Sequence, residues 1–123
     1  MHSGYTGVSN PELFRTLGLP PYSPLSLDAI RDTGKQPPYT LSVLCQLAIL
    51  GSPTQRLLVQ DIFNALMHKF TYYRNLQDAG VWKNSVRSVL TNERCFVQVS
   101  RSQAEPGRGD YWTLSYLNGP RRP

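Results

Sequence analysis

Only two cysteines occur in the 123 residues, Cys45 and Cys95, each at or inside an apolar run and without a CxxC or Cys/His companion. That spacing excludes a zinc site and argues against a disulfide scaffold. Histidine is as scarce, with His2 near the N-terminus and His68 beside an apolar stripe, neither next to a nucleophile in sequence. Gly107-Arg108-Gly109 opens no helix and precedes no Lys-Ser/Thr pair, so it is not a phosphate loop. A Cys95 nucleophile would lack a base. No enzyme activity, cofactor, metal or small-molecule substrate is therefore expected. Apolar runs long enough to cross a bilayer, about 20 residues, are missing, as is a charged segment leading into an apolar one at the N-terminus. The chain reads as intracellular and soluble, with no membrane partner.

What is present fits one domain with tails, since a second core would need roughly 50 residues of its own. Ten prolines and nine glycines put much of the chain in turns. Charge is uneven: the net charge is +5, yet residues 1–34 carry two basic and three acidic groups, so the positive surplus belongs to residues 35–123. A concentrated positive balance favours a polyanionic partner.

Residues 1–34 show no sustained period, and turn formers recur at Asn10-Pro11, Gly18, Pro20-Pro21, Pro24 and Gly34. This segment is expected to be a flexible leader. Leu25, Leu27, Ala29 and Ile30 could dock a short piece of it, although their alternation does not suit a helical turn. After Pro37-Pro38, Thr40 or Ser42 can cap a helix with the stripe Leu41, Leu44, Cys45, Ala48, Ile49, which must stop at Gly51-Ser52-Pro53. Val59, Ile62, Phe63, Leu66, Met67 and Phe70 predict a second helix, and Arg56-Leu57-Leu58 has room for a single strand rung. A polar and aromatic link follows, and Trp82, Val86, Val89 and Leu90 then mark a third helix. Segments 95–99 and 111–115 read as a hairpin, with Trp82, Phe96 and Tyr111 in the core. Its loop, Ser100–Asp110, carries Arg101 and Arg108.

The third helix has an informative second face. Lys83, Asn84, Arg87, Ser88 and Thr91 fall at i, i+1, i+4, i+5 and i+8, bringing two cations, an amide and two hydroxyls to one side. Three helices and a hairpin with arginines in its loop outline an α+β winged helix, in which such a helix enters the major groove of DNA. Asparagine can donate to adenine N7 while accepting from N6, and Arg87 and Lys83 can meet phosphate or guanine. On composition alone, Arg101 and Arg108 could equally keep a loop soluble, and Trp112, alternating with Tyr111, could be surface packing.

At these residues the chain resembles the forkhead winged-helix DNA-binding domain. Lys35-Gln36-Pro37-Pro38-Tyr39-Thr40 is similar to the family's Lys-Pro-Pro-Tyr-Ser opening with one residue inserted. Phe70-Thr71-Tyr72-Tyr73-Arg74 resembles its Phe-Pro-Tyr-Tyr-Arg segment, and Trp82-Lys83-Asn84-Ser85-Val86-Arg87 is the most specific block. Cys95-Phe96-Val97, Pro106-Gly107-Arg108-Gly109 and Tyr111-Trp112-Thr113-Leu114 complete the order, while Pro24-Leu25-Ser26-Leu27 is similar to some fungal members. The resemblance implies a domain at 35–117 between the leader (1–34) and a short basic tail (118–123). It implies double-stranded DNA as partner, monomeric binding, a transcription-factor role and a nuclear location. By the same resemblance, Asn84 reads an adenine, Arg87 contacts the DNA, Tyr39 and Trp112 hold phosphates, Ser85 lies at the DNA face and Arg108 adds a phosphate contact.

Several positions depart from the family pattern. Ser88 replaces the signature histidine and is too short to reach the same base edges. Val89 replaces an asparagine, Leu58 a threonine, and Asn92-Glu93-Arg94 a Leu-Asn-Asp type of turn. Asp110 stands where a serine often approaches a phosphate, and a carboxylate there repels the backbone. Weaker or less selective DNA binding is expected. Two other readings keep the fold: an architectural binder relying on charge alone, and a protein-interaction module that has lost DNA binding.

Overall fold

The computed structural model of the chain describes residues 11–102, 104, 105, 107 and 109–116. The apolar stripe that begins at Leu41 folds as helix α2 (Leu41–Leu50), buried on almost every side from Leu44 through Ile49. The Thr40 hydroxyl accepts from Val43 N at 3.2 Å and caps it, while Ser42 turns away to donate to Glu93 Oε1 at 2.6 Å. Gly51 ends the helix as expected.

Helix α3 (Val59–Lys69) buries Ile62, Phe63 and Leu66. Leu58 at its N-cap has no hydroxyl to offer, and the Asp61 carboxylate instead reaches back to accept from Leu58 N at 3.3 Å. Beyond Phe70, the expected link contains a further short helix, α4 (Thr71–Asn75). Arg74 clamps it onto α3 by donating to the carbonyls of Met67 (3.1 Å) and His68 (3.0 Å), the groups a helix leaves unpaired at its C-terminus. The third predicted helix, α5 (Ala79–Asn92), starts a turn earlier than its apolar spacing suggests and buries Trp82, Val86 and Leu90.

Strands β1 (Phe96–Val99) and β2 (Tyr111–Leu114) pair antiparallel in the register Phe96↔Leu114, Val97↔Thr113, Gln98↔Trp112 and Val99↔Tyr111. Leu57 adds the expected single rung on the other side of β2, exchanging backbone bonds with Trp112 at 3.0 and 2.7 Å. Helices α2, α3 and α5 with this sheet form the α+β winged-helix arrangement. Alternation puts Phe96 and Leu114 on the core face and Tyr111 and Thr113 on the outer face.

For residues 11–34 of the leader the expectation of a free segment fails, and residues 1–10 lie outside the described residues. Residues 11–17 form a helix, α1 (Pro11–Leu17), and Ser26 caps a 3-10 turn (Leu27–Ala29). Leu13, Leu27 and Ile30 join the hydrophobic core at 2%, 8% and 5% exposure. The turn lies so close to the end of α2 that a Cβ on Gly51 would meet Ser26 Cβ at 2.6 Å. Asp32 then accepts from Thr71 Oγ1 (2.6 Å) and Thr71 N (3.3 Å), fastening the segment to the start of α4. Three well-spaced apolar side chains and one carboxylate anchor a stretch whose local pattern shows no period. The tail, 118–123, lies outside the described residues.

Candidate nucleic-acid interface

An aromatic cluster orients α5. Trp82 packs edge-on to Phe63 (ring centroids 5.7 Å, 81° between planes) and tilted against Tyr73 at 4.8 Å, so the N-terminal half of the helix is locked to α3 and α4. Burial, followed by neighbouring Tyr72, pushes the Tyr73 phenol up to about 12, which keeps it neutral. With Trp82, Val86 and Leu90 turned inward, a 3.6-residue repeat must turn the opposite stripe outward.

That stripe is open. Asn84, Ser85, Arg87, Ser88 and Thr91 are all exposed, and the docked leader is tied to α2 and α4. Ser85 Oγ donates to Val81 O at 3.2 Å and Thr91 Oγ1 to Arg87 O at 2.9 Å, the back-bonding that solvent-facing hydroxyls adopt on a helix. Arg87 donates from Nη1 to Asn84 Oδ1 at 3.2 Å, and its guanidinium carbon lies 5.0 Å from the centroid of the Phe63 ring. Lys83 is half-buried, its Nζ 5.4 Å from the same ring and 5.9 Å from that of Trp82. The two cations of α5 therefore share one aromatic support.

The remaining expected site residues frame this face unevenly. Tyr39 lies half-buried just ahead of the Thr40 cap, and Trp112 is half-buried against the core through its packing and its rung with Leu57. Arg101 leans on the outer sheet face, its Cζ 5.7 Å from the Tyr111 ring. Arg108 lies outside the described residues.

Tyr111 itself corrects the expectation of a core residue. It is half-buried on the outer face because the ladder register assigns the core face to Leu114 and Trp112. Its hydroxyl donates to Glu105 Oε2 at 2.7 Å, which lowers the Glu105 carboxyl and raises the Tyr111 phenol. Arg56 covers the ring from the other strand edge at 4.6 Å. Sequence reasoning missed Arg56 as a partner of the wing. The predicted rung at Arg56-Leu57-Leu58 was the available signal, since pairing Leu57 antiparallel with Trp112 sets Arg56 opposite Thr113, on the outer face that Tyr111 shares and within reach of its ring.

The two thiols are inert by environment. Burial, then the charge of Glu93, pushes Cys45 up to about 12 and Cys95 up to about 11. His68 lines a cleft with Leu27, Leu47, Gly51 and Asp61 beneath the docked leader.

An exposed amide-and-guanidinium stripe on the third core helix, followed by an arginine-bearing hairpin, agrees with what residues 35–121 match by sequence, the Forkhead domain family. The chain belongs to the forkhead family. It is 37% identical over 95 residues to Forkhead box protein I3-A of Danio rerio, covering 76% of this chain and 26% of that protein. Against Forkhead box protein N3 of Mus musculus it is 38% identical over 96 residues, or 77% and 21% of the two chains. Forkhead box protein F1-B of Xenopus laevis matches at 38% over 80 residues, covering 65% and 21%. The chain thus spans about a quarter or less of the length of these relatives. The forkhead domain is a DNA-binding domain of transcription factors, and the α+β winged helix described above is its fold.

Proposed function

We propose that this forkhead domain binds duplex DNA as a monomer by laying the exposed stripe of α5 in the major groove, with reduced selectivity between sequences. The observation that carries the reading is the solvent-open face of Asn84, Ser85, Arg87, Ser88 and Thr91, backed by a rigid aromatic cluster. A B-form major groove of about 12 Å admits a helix, and an asparagine amide can satisfy both edge groups of adenine at once. Lys83 and Arg87 supply cations beside it. Tyr39, Trp112, Arg101 and Arg108 hold flanking phosphates, which fix register without choosing sequence. The net positive charge, concentrated after residue 34, supports the polyanion partner. No cofactor takes part, and the family's role as transcription factors supports a nuclear location.

Reduced selectivity follows from two side chains. Ser88 ends in a hydroxymethyl group one turn beyond Asn84, so it cannot span to the base edges a histidine would reach. Asp110, half-buried just before β2, offers only acceptors to a phosphate.

Competition at fixed salt between an A/T-rich forkhead-type duplex and a scrambled duplex tests the reading. A preference for the A/T-rich site is expected, with Asn84→Ala narrowing the gap by about 1–3 kcal/mol. Equal affinity for both duplexes together with a steep salt slope would leave only charge-driven binding. No duplex affinity at low salt would favour the protein-interaction reading.

A further inference from the structure

We propose that Arg87 is a positioning residue for base reading: seated on the Phe63 ring, it sets the amide of Asn84 in the orientation that matches adenine. This rests on the reading of α5 as the major-groove element and adds to it a specificity role beyond any direct contact Arg87 makes with DNA.

The argument starts from donors and acceptors. A guanidinium only donates, so the Asn84 atom 3.2 Å from Arg87 Nη1 is the amide oxygen, and the Asn84 amide nitrogen is directed away from Arg87. One lone pair of that oxygen remains for adenine N6–H while the NH2 donates to N7, the two bonds of a bidentate asparagine–adenine contact. A flipped amide would turn its own N–H groups toward the guanidinium, where neither partner can accept. Arg87 thereby removes the wrong rotamer before DNA arrives. Drawing density from the oxygen also makes the NH2 a better donor, since linked hydrogen bonds polarise one another.

An exposed arginine would ordinarily sample many rotamers. Here its Cζ is 5.0 Å from the centroid of Phe63, a buried ring held edge-on by Trp82, so the support belongs to the core. The planar guanidinium combines stacking with a directed fork, which an ammonium on a flexible stem does not reproduce. Ser88, on the same face, supplies no second base-reading arm, so discrimination depends more heavily on how well this one amide is set.

The test uses the full chain and a duplex recovered by selection from a randomised pool, with binding followed by fluorescence anisotropy at several salt concentrations. Each adenine is replaced in turn by purine, which lacks the 6-amino group, to locate the one whose loss costs the wild type about tenfold and costs Asn84→Ala nothing. Arg87→Lys, at an exposed position, keeps the charge and the fold, the latter checked by thermal melting. The expected result is an unchanged salt slope, with the adenine-to-purine ratio reduced from about tenfold to about two- or threefold. Adding Asn84→Ala in that background then costs little more. A full adenine-to-purine ratio in Arg87→Lys, with Asn84→Ala costing the same in both backgrounds, overturns the positioning role while leaving groove reading intact. A wild type with no adenine-dependent step that Asn84→Ala removes overturns the groove reading itself.

Discussion

Replacing Leu27 by alanine tests whether the N-terminal segment is part of the folding unit. Leu27 is 8% exposed, joins the core cluster and sits where the 3-10 turn meets the end of α2. Buried leucine-to-alanine changes cost about 2–5 kcal/mol, and Leu27 lines a cleft instead of a sealed cavity, so a loss at the lower end, about 2–3 kcal/mol, is expected. For a domain of this size that corresponds to a fall in Tm of about 10 °C. The loss is capped by the free energy of docking: if the segment undocks on its own, the substitution can cost no more than the docking was worth. Urea titration followed by the fluorescence of Trp82 and Trp112 separates the cases. A lower midpoint with an unchanged slope means that undocking and global unfolding are one event. Gly51→Ala should act in the same direction, because its new Cβ meets Ser26 Cβ at 2.6 Å. Tyr22→Ala, at a residue 93% exposed, should stay within about 0.5 kcal/mol of wild type. A midpoint for Leu27→Ala indistinguishable from that of Tyr22→Ala would refute the reasoning and return residues 11–34 to the status of a loose leader.

Two further outcomes follow from ionisation. The Thr71 hydrogen bond, ahead of that from Gly34, holds the Asp32 carboxyl below its ordinary value of 3.8. A depressed folded pKa stabilises at pH above the unfolded value, so this contribution is complete near neutrality and is lost as pH falls below about 4. Asp32→Asn should flatten that part of the acid limb, read as the urea midpoint between about pH 5 and pH 2.5, and an unchanged limb would remove the Asp32 latch. Cys45 and Cys95, pushed up to about 12 and 11 by burial first, should react with a disulfide reagent at pH 8 no faster than the domain opens. Rapid native labelling of either thiol would contradict their burial.

Much of the candidate site was legible because it depends on local periodicity. The i, i+4 and i+8 spacing of Lys83, Arg87 and Thr91 opposite Trp82, Val86 and Leu90 is a property of one helix, and it holds whatever that helix packs against. The support beneath that face was not legible. Phe63 carries Lys83 and Arg87 from a different helix, and nothing in either stripe signals a cation over a ring 20 or more positions away. Tyr111 was misjudged for a related reason: aromatics usually fill small cores, but the β ladder register decides which of two alternating residues faces in.

Helix α2, its stop at Gly51, helix α3, the single rung at Leu57, the two strands and the exposed polar face of α5 are determined by the sequence alone, through stripe spacing, capping residues and turn chemistry acting over a few neighbours. Helix α1 with Leu13 in the core, the Asp32–Thr71 latch, the short helix α4 braced by Arg74, the Arg56 cover on Tyr111 and the Arg87–Asn84 pair seated on Phe63 were decided only by tertiary structure. The physical reason is range. Periodicity reports which side of an element is apolar, whereas Asp32 finding Thr71 across 39 positions requires the intervening chain to fold first.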